Sequence, residues 1–250
     1  MKADNDAVGL MLKSFLLTSA AKVWSSLEAQ ASKENWSHKR LVESLLMVEA
    51  NDRKERLTER LLKRSNLPTG KTIATLNTDS LPQKVRKQLP LLMEGAFVGQ
   101  ATNILAFGLP GRGKTHFLAA LGHELIMRYQ TKVLFTSTFR LVGNLLQAKQ
   151  THRLNEALKK LDGFEVVILD DIGYVQQTRE EMEILFTFMS ERYERKSLMI
   201  SSNLVFSEWD KIFKDAMTTM AAIDRVVHHS VILEFDGAES IRVQKKKLHQ

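Results

Sequence analysis

Gly108-Leu109-Pro110-Gly111-Arg112-Gly113-Lys114-Thr115 lies between a short apolar run, Ile104–Phe107, and a long amphipathic segment, Lys114–Tyr129. The stretch fits G-x-x-x-x-G-K-[ST], and its context of strand before and helix after is the one this loop requires. Gly108, Gly111 and Gly113 let the backbone curl so that its N–H groups point inward at phosphate oxygens. The helix starting at Lys114 adds the positive end of its dipole. Lys114 is expected to reach the β- and γ-phosphates, and the Thr115 hydroxyl to ligate Mg2+. Residues Gly108 through Thr115, with His116 beside them, form the candidate nucleoside triphosphate site, and ATP and Mg2+ are its expected cofactors. No Asn-Lys-x-Asp segment is present to read a guanine, which argues against a GTPase.

Outward from this loop, short apolar runs alternate with longer amphipathic ones. Ile104–Phe107, Lys132–Thr136, Val166–Leu169, Leu198–Ser201 and Val231–Phe235 read as five buried strands. Helices are expected at Lys114–Tyr129, Thr138–Lys149, Thr151–Leu161 and Arg179–Arg195, and in pieces over Phe206–His228. That alternation implies an α/β fold, a parallel sheet covered on both faces. Val166-Val167-Ile168-Leu169-Asp170-Asp171 is a strand ending in two carboxylates, the form of a Walker B segment. Asp170 is expected to hold the hydrated Mg2+ and Asp171 to polarise an attacking water. Neighbouring strand residues point to opposite sides, yet at the C-terminal end both can reach the ligand crevice. Asn203, closing Ser201-Ser202-Asn203, offers an amide that could orient water between Asp171 and the γ-phosphate, although such a tripeptide is also ordinary turn chemistry. Asp224-Arg225 reads either as an ion pair or as an arginine offered to a neighbouring subunit's γ-phosphate.

Composition narrows the class. The chain has 250 residues, 44% hydrophobic and 26% charged, which suits one or two globular domains and excludes disorder as the main story. Cysteine is absent, so disulfides, thiolate zinc sites and a cysteine nucleophile are excluded. The longest uncharged run, Gly95 to Gly111, is broken by glycines and a proline, so no membrane partner is expected and the cytoplasm is the default location. The net charge is +7, and the stretch from Arg53 to Gln88 alone holds ten basic and three acidic residues. Arg53, Lys54, Arg56, Arg60, Lys63 and Arg64 are therefore candidate phosphate contacts for double-stranded DNA, against the plainer reading of a solvated helix face.

The first sixty-odd residues read as helices only. Leu10, Leu17, Val23, Trp24 and Leu27 recur at helical spacing, as do Leu41, Leu45, Leu46 and Val48, with Ser37 as a candidate N-cap. An amphipathic last helix is expected over Asn51–Ser65. Asn66-Leu67-Pro68-Thr69-Gly70 is turn chemistry, so a small all-helical domain is assigned to 1–68 and the ATPase core to 69–250. The connection, with Pro82 and Pro90, leads into a helix-like segment near Leu91–Val98.

Walker A, Walker B, a strand-end asparagine and a later Asp-Arg together resemble an AAA+ ATPase. The strings Gly113 to His123, Asp170 to Tyr174, Ser202 to Trp209 and Asp224 to Ser230 are similar to the IstB family, ATPase helpers of insertion-sequence transposition and relatives of the DnaC helicase loaders. The resemblance implies an ATP-dependent DNA-binding protein of DNA recombination. Such a protein assembles on target DNA as a homo-oligomer through ATP-bridged interfaces and recruits or stimulates a cognate transposase. It makes Asn203 the sensor residue and Arg225 the arginine-finger candidate, and implies that the Asn203 strand lies between the P-loop strand and the Asp170 strand. Two alternatives share these residues: a DnaC-like helicase loader, and a DNA-binding scaffold that ATP switches with negligible turnover. Asp171 stands where many AAA+ members have Glu, and only about fifteen residues follow the last strand, too few for a lid domain.

Overall fold

The computed structural model describes residues 5–172, 178–204 and 226–236. The chain divides into two compact units, Met1–Arg60 and Leu61–Gln250. Three helices open it: α1 (Asn5–Ser14), α2 (Thr18–Lys33) and α3 (His38–Ser65). The Ser37 hydroxyl accepts from the Arg40 N–H at 3.2 Å, as an N-cap should. α3 is one continuous helix of 28 residues, not the two segments that the spacing suggested. No glycine or proline lies between Ser37 and Ser65 to interrupt it, so the division of the chain at Arg60 and Leu61 falls inside this helix.

The first unit is held by an acidic clamp. Leu17 precedes α2 without capping it. The buried Glu49 of α3 instead accepts from the Ser19 and Ala20 N–H groups at 2.8 and 3.1 Å. A carboxylate at a helix N-terminus satisfies unpaired donors and meets the positive end of the dipole. The Asp52 carboxylate accepts from the Ser19 hydroxyl in the same corner. Burial raises the Glu49 pKa, and the N–H donors of Ala20, Arg53 and Ser19 more than offset it, so the carboxyl lies below its ordinary range.

In the larger unit two 3-10 turns, Ile73–Thr75 and Thr78–Ser80, precede α4 (Gln83–Met93) and the short α5 (Ala96–Gly99). Pro90 sits inside α4 and does not end it; the chain turns at Gly95, at φ 73°. The expected single segment over Leu91–Val98 is thus the end of one helix and most of another.

The remaining elements are β1 (Asn103–Phe107), α6 (Lys114–Tyr129), β2 (Val133–Ser137), α7 (Thr138–Gln150), α8 (Leu154–Asp162), β3 (Val166–Ile172), α9 (Arg179–Arg192), β4 (Ser197–Ser202) and β5 (Ser230–Glu234). The five strands form one sheet in the order β2-β3-β4-β1-β5, with every pair parallel. β4, which leads to Asn203, lies between β1 and β3 as the resemblance implied. Strand residues alternate between faces. Leu105, Phe107, Val167, Leu169, Leu198 and Ile200 pack with α7 and α9 in one core cluster. Ile168 faces α6, where a Cβ on Gly122 would come within 2.8 Å of its Cδ1. α6 can approach the sheet this closely only because position 122 has no side chain. Among the described residues no lid domain follows β5, and none of their helices is long and apolar enough to cross a membrane.

Candidate functional site

The site is built at the C-terminal ends of β1, β3 and β4, where parallel sheets of this kind hold ligands. Gly108, Gly111 and Gly113 all have positive φ, 141°, 82° and 94°, so the loop makes the inward curl that its sequence requires. A Cβ on Gly108 would lie 3.0 Å from the Phe235 Cβ, and Phe235 stacks edge-on against Phe117 of α6 at 5.6 Å. Phe235 thus buttresses the start of the loop, a role that its expected place at the end of the last strand did not reveal.

Lys114 is 5% exposed. Its ammonium donates to the Gly108 carbonyl at 2.5 Å, to the Leu109 carbonyl at 3.0 Å and to Asn203 Oδ1 at 2.8 Å. The Asn203 amide in turn donates from Nδ2 to Asp171 Oδ1 at 3.3 Å. One side chain therefore bridges the P-loop cation and the second Walker B carboxylate. Thr115 Oγ1 donates to Asp170 Oδ1 at 2.8 Å, joining the other half of the loop to the first carboxylate.

Two adjacent carboxylates face one crevice because β3 carries a bulge. Leu169 pairs with Ile200 and Ile172 with Ser202, so β3 spends one residue more than β4 over this stretch. Asp171 takes up the extra residue at φ 57°, in the left-handed region that Asp tolerates better than most side chains. Ser201 holds this geometry. It is fully buried, donates to Asp170 Oδ1 at 2.7 Å, and accepts from the Asp171 N–H at 2.9 Å. Ser201 is the positioning residue that the sequence offered only as part of a strand end. Its signal was a small polar residue closing the apolar run Leu198–Ile200.

A cleft of about 380 Å3 opens here, lined by Lys71, Pro110 to His116, Asp171 and Asn203. His116 turns from the loop toward Thr72 and Thr75. Leu109 is largely exposed and Arg112 half-buried at the rim. Oxygens of Thr115 and Asp170 lie together where they could hold a divalent cation, and no trio of His, Cys, Asp or Glu among the described residues could form a metal cage. One carboxylate plus a hydroxyl, completed by phosphate and water, is how Mg2+ is usually held. Asp224 and Arg225 lie outside the described residues, as do Gly173, Tyr174, Val205 to Trp209 and most of the expected Phe206–His228 helix.

The six basic candidates of α3 are handled differently from one another. Arg53 pairs with Glu49 at 2.8 Å and donates to the Leu16 carbonyl, and Arg56 pairs with Asp52. Arg60 donates from Nε to the Arg56 carbonyl. Lys54 lies on the same exposed helix, and Lys63 and Arg64 occupy its last turn without an ion pair among the described residues.

The fold is that of a P-loop AAA+ core. It is similar to the DnaC helicase loader at TM-score 0.53 and 16% identity, over 70% of this chain and 98% of that one. It is similar also to the replication initiator DnaA bound to AMPPCP and single-stranded DNA, at TM-score 0.59 and 19% identity, over 74% and 56%. In sequence the chain is 38% identical to an insertion sequence ATP-binding protein of Sinorhizobium fredii over 96% of its own length and 80% of the relative's. It is 36% identical to the insertion sequence IS21 ATP-binding protein of Pseudomonas aeruginosa, over 89% and 83%. Residues 10–249 match the family described as IstB-like ATP binding protein, and the chain belongs to that family.

Proposed function

We propose that the protein binds and hydrolyses ATP, and that it uses the nucleotide to assemble on duplex DNA and engage the transposase of its insertion sequence. The observation that carries this reading is the continuous path Lys114–Asn203–Asp171, which links the phosphate-facing cation to a carboxylate through one amide. Family membership supplies the biological setting.

The loop N–H groups and Lys114 bind the β- and γ-phosphates, while Thr115 and Asp170 would hold Mg2+, which when bound neutralises charge on the phosphate oxygens. Asp171 accepts a proton from water as its oxygen attacks the γ-phosphorus. The bond from that phosphorus to the β–γ bridging oxygen breaks, leaving ADP and phosphate. Asn203 links the Asp171 carboxylate to the Lys114 ammonium, which exchanges a loop carbonyl for phosphate oxygen when the nucleotide binds. Arg225 is the residue that a neighbouring copy would offer to this pocket, which makes turnover depend on homo-oligomer formation. Arg60, Lys63 and Arg64 carry the duplex contact, since Arg53 and Arg56 already have carboxylate partners.

The test is ATP turnover with and without duplex DNA, followed by co-purification with either the transposase or a replicative helicase. DNA-stimulated turnover and capture of the transposase support the reading. Capture of the helicase alone would turn it toward a loader, and ATP-dependent DNA binding without turnover toward a scaffold.

A further inference from the structure

We propose that Lys71 is a second phosphate-binding cation of the nucleotide site, delivered by the segment that precedes the sheet and held in place by His116. The proposal rests on the ATP reading above and adds a contact from outside the P-loop.

The segment is fastened onto α6. The Thr75 hydroxyl donates to the Gly70 carbonyl at 2.6 Å and accepts from the Thr72 N–H at 3.0 Å, closing a tight loop around Lys71. His116, immediately after Thr115, reaches Thr75 Oγ1 at 3.1 Å and the Thr72 carbonyl at 3.3 Å through Nε2. A carbonyl only accepts, and the Thr75 proton is directed at Gly70, so Nε2 carries the hydrogen and donates to both. The last residue of the phosphate-binding stretch is thereby coupled to the segment holding Lys71.

Lys71 itself lines the same cleft as Lys114, Asp171 and Asn203. It has no carboxylate partner among the described residues, in contrast to Arg53 and Arg56. A triphosphate brings several negative charges into a crevice that Asp171 also lines, and the cations lining it are Lys71, Arg112 and the buried Lys114. Lys71, half-buried and lining the cleft, adds countercharge of the charge-assisted kind that phosphate oxygens take.

The experiment uses the full chain and competition against a fluorescent ATP analogue, with ATP, ADP and adenosine as competitors. Lys71→Ala is expected to weaken ATP about tenfold, the size of one charge-assisted hydrogen bond, and to leave adenosine unchanged. Lys71→Arg should retain most of the affinity. Thr75→Val, which removes the hydroxyl anchoring the loop, should cost part of the same affinity in the wild-type background and nothing further in Lys71→Ala. Unchanged ATP affinity in Lys71→Ala, or an equal loss for adenosine, would overturn the assignment. Lys114→Ala serves as the control. If it loses ATP while Lys71→Ala does not, only Lys71 is misassigned; if Lys114→Ala binds like wild type, the site reading and Lys71 fall together.

Discussion

The basic face of α3 and the P-loop crevice both gather cations, and each surrounds them with different chemistry. On α3, Arg53 and Arg56 meet carboxylates of their own helix, Glu49, which caps α2, and Asp52, which accepts from the Ser19 hydroxyl. Those arginines stabilise an acidic corner, and their charge is largely used within the fold. In the crevice Lys114 meets neutral acceptors, two loop carbonyls and an amide oxygen. These bonds fix its position at the start of α6, beside the glycine loop. A cation is therefore informative about a ligand when its position is set by backbone geometry inside a cleft. A count of basic residues along a helix does not distinguish the two cases.

The largest effect is expected at Arg225. Arg225→Ala should fold and bind ATP yet lose turnover by about 10³–10⁵, the range for arginine fingers. Mixed with Lys114→Ala, it should recover activity, because some interfaces then join an intact pocket to an intact arginine. Co-assembly without recovery would make Asp224-Arg225 an ordinary ion pair. Next, Lys114→Ala should weaken ATP by about 100-fold, since several charge-assisted bonds go at once; equilibrium titration reads it.

On the helix the effects are smaller. Changing Arg60, Lys63 and Arg64 together to Ala should flatten the slope of log affinity for duplex DNA against log salt by about 2 to 3 units. Arg53→Ala should leave that slope alone and lower stability by about 1 kcal/mol, because the pair is half-exposed on the arginine side. An altered slope in Arg53→Ala would erase the distinction between the two kinds of cation. The smallest effect concerns acid. Glu49 is held below its ordinary value of 4.5, so its contribution to the first unit is complete above that value and is lost as pH falls through the lowered one. Glu49→Gln should remove this part of the acid dependence, measured by thermal unfolding between neutral pH and pH about 3.

The parts that the sequence made legible are those whose chemistry is contiguous. Walker A needs a strand, a glycine loop and a helix in unbroken succession, and α6 occupies Lys114–Tyr129 as its periodicity indicated. All five strands lie within three residues of their expected ends; β1, β3 and β4 are the buried apolar runs expected, whereas the edge strands β2 and β5 are largely half-buried or exposed. What escaped depends on partners distant in the chain. The bulge at Asp170–Asp171 exists only in the register against β4, and Ser201 acquires its role from that register. Nothing in the sequence sets Arg192 apart within the expected Arg179–Arg195 helix, yet it is 2% exposed and donates to the carbonyls of Leu161, Phe164, Glu165 and Ser197. Burial pushes its guanidinium down to about 10. On α3, a helix without breakers ran on where a weak period suggested a stop.

The central claim is that the crevice hydrolyses ATP with Asp171 as the base. Asp171→Asn preserves shape and keeps an oxygen to accept from Asn203, while removing the group that takes the proton. Single-turnover hydrolysis of ATP by wild type and Asp171→Asn, at matched nucleotide occupancy and with duplex DNA present, tests this directly. The account predicts near-equal ATP affinity and a rate lower in the variant by about 10²–10⁴. Wild-type turnover persisting in Asp171→Asn would place the base elsewhere and contradict the role given to the Lys114–Asn203–Asp171 path.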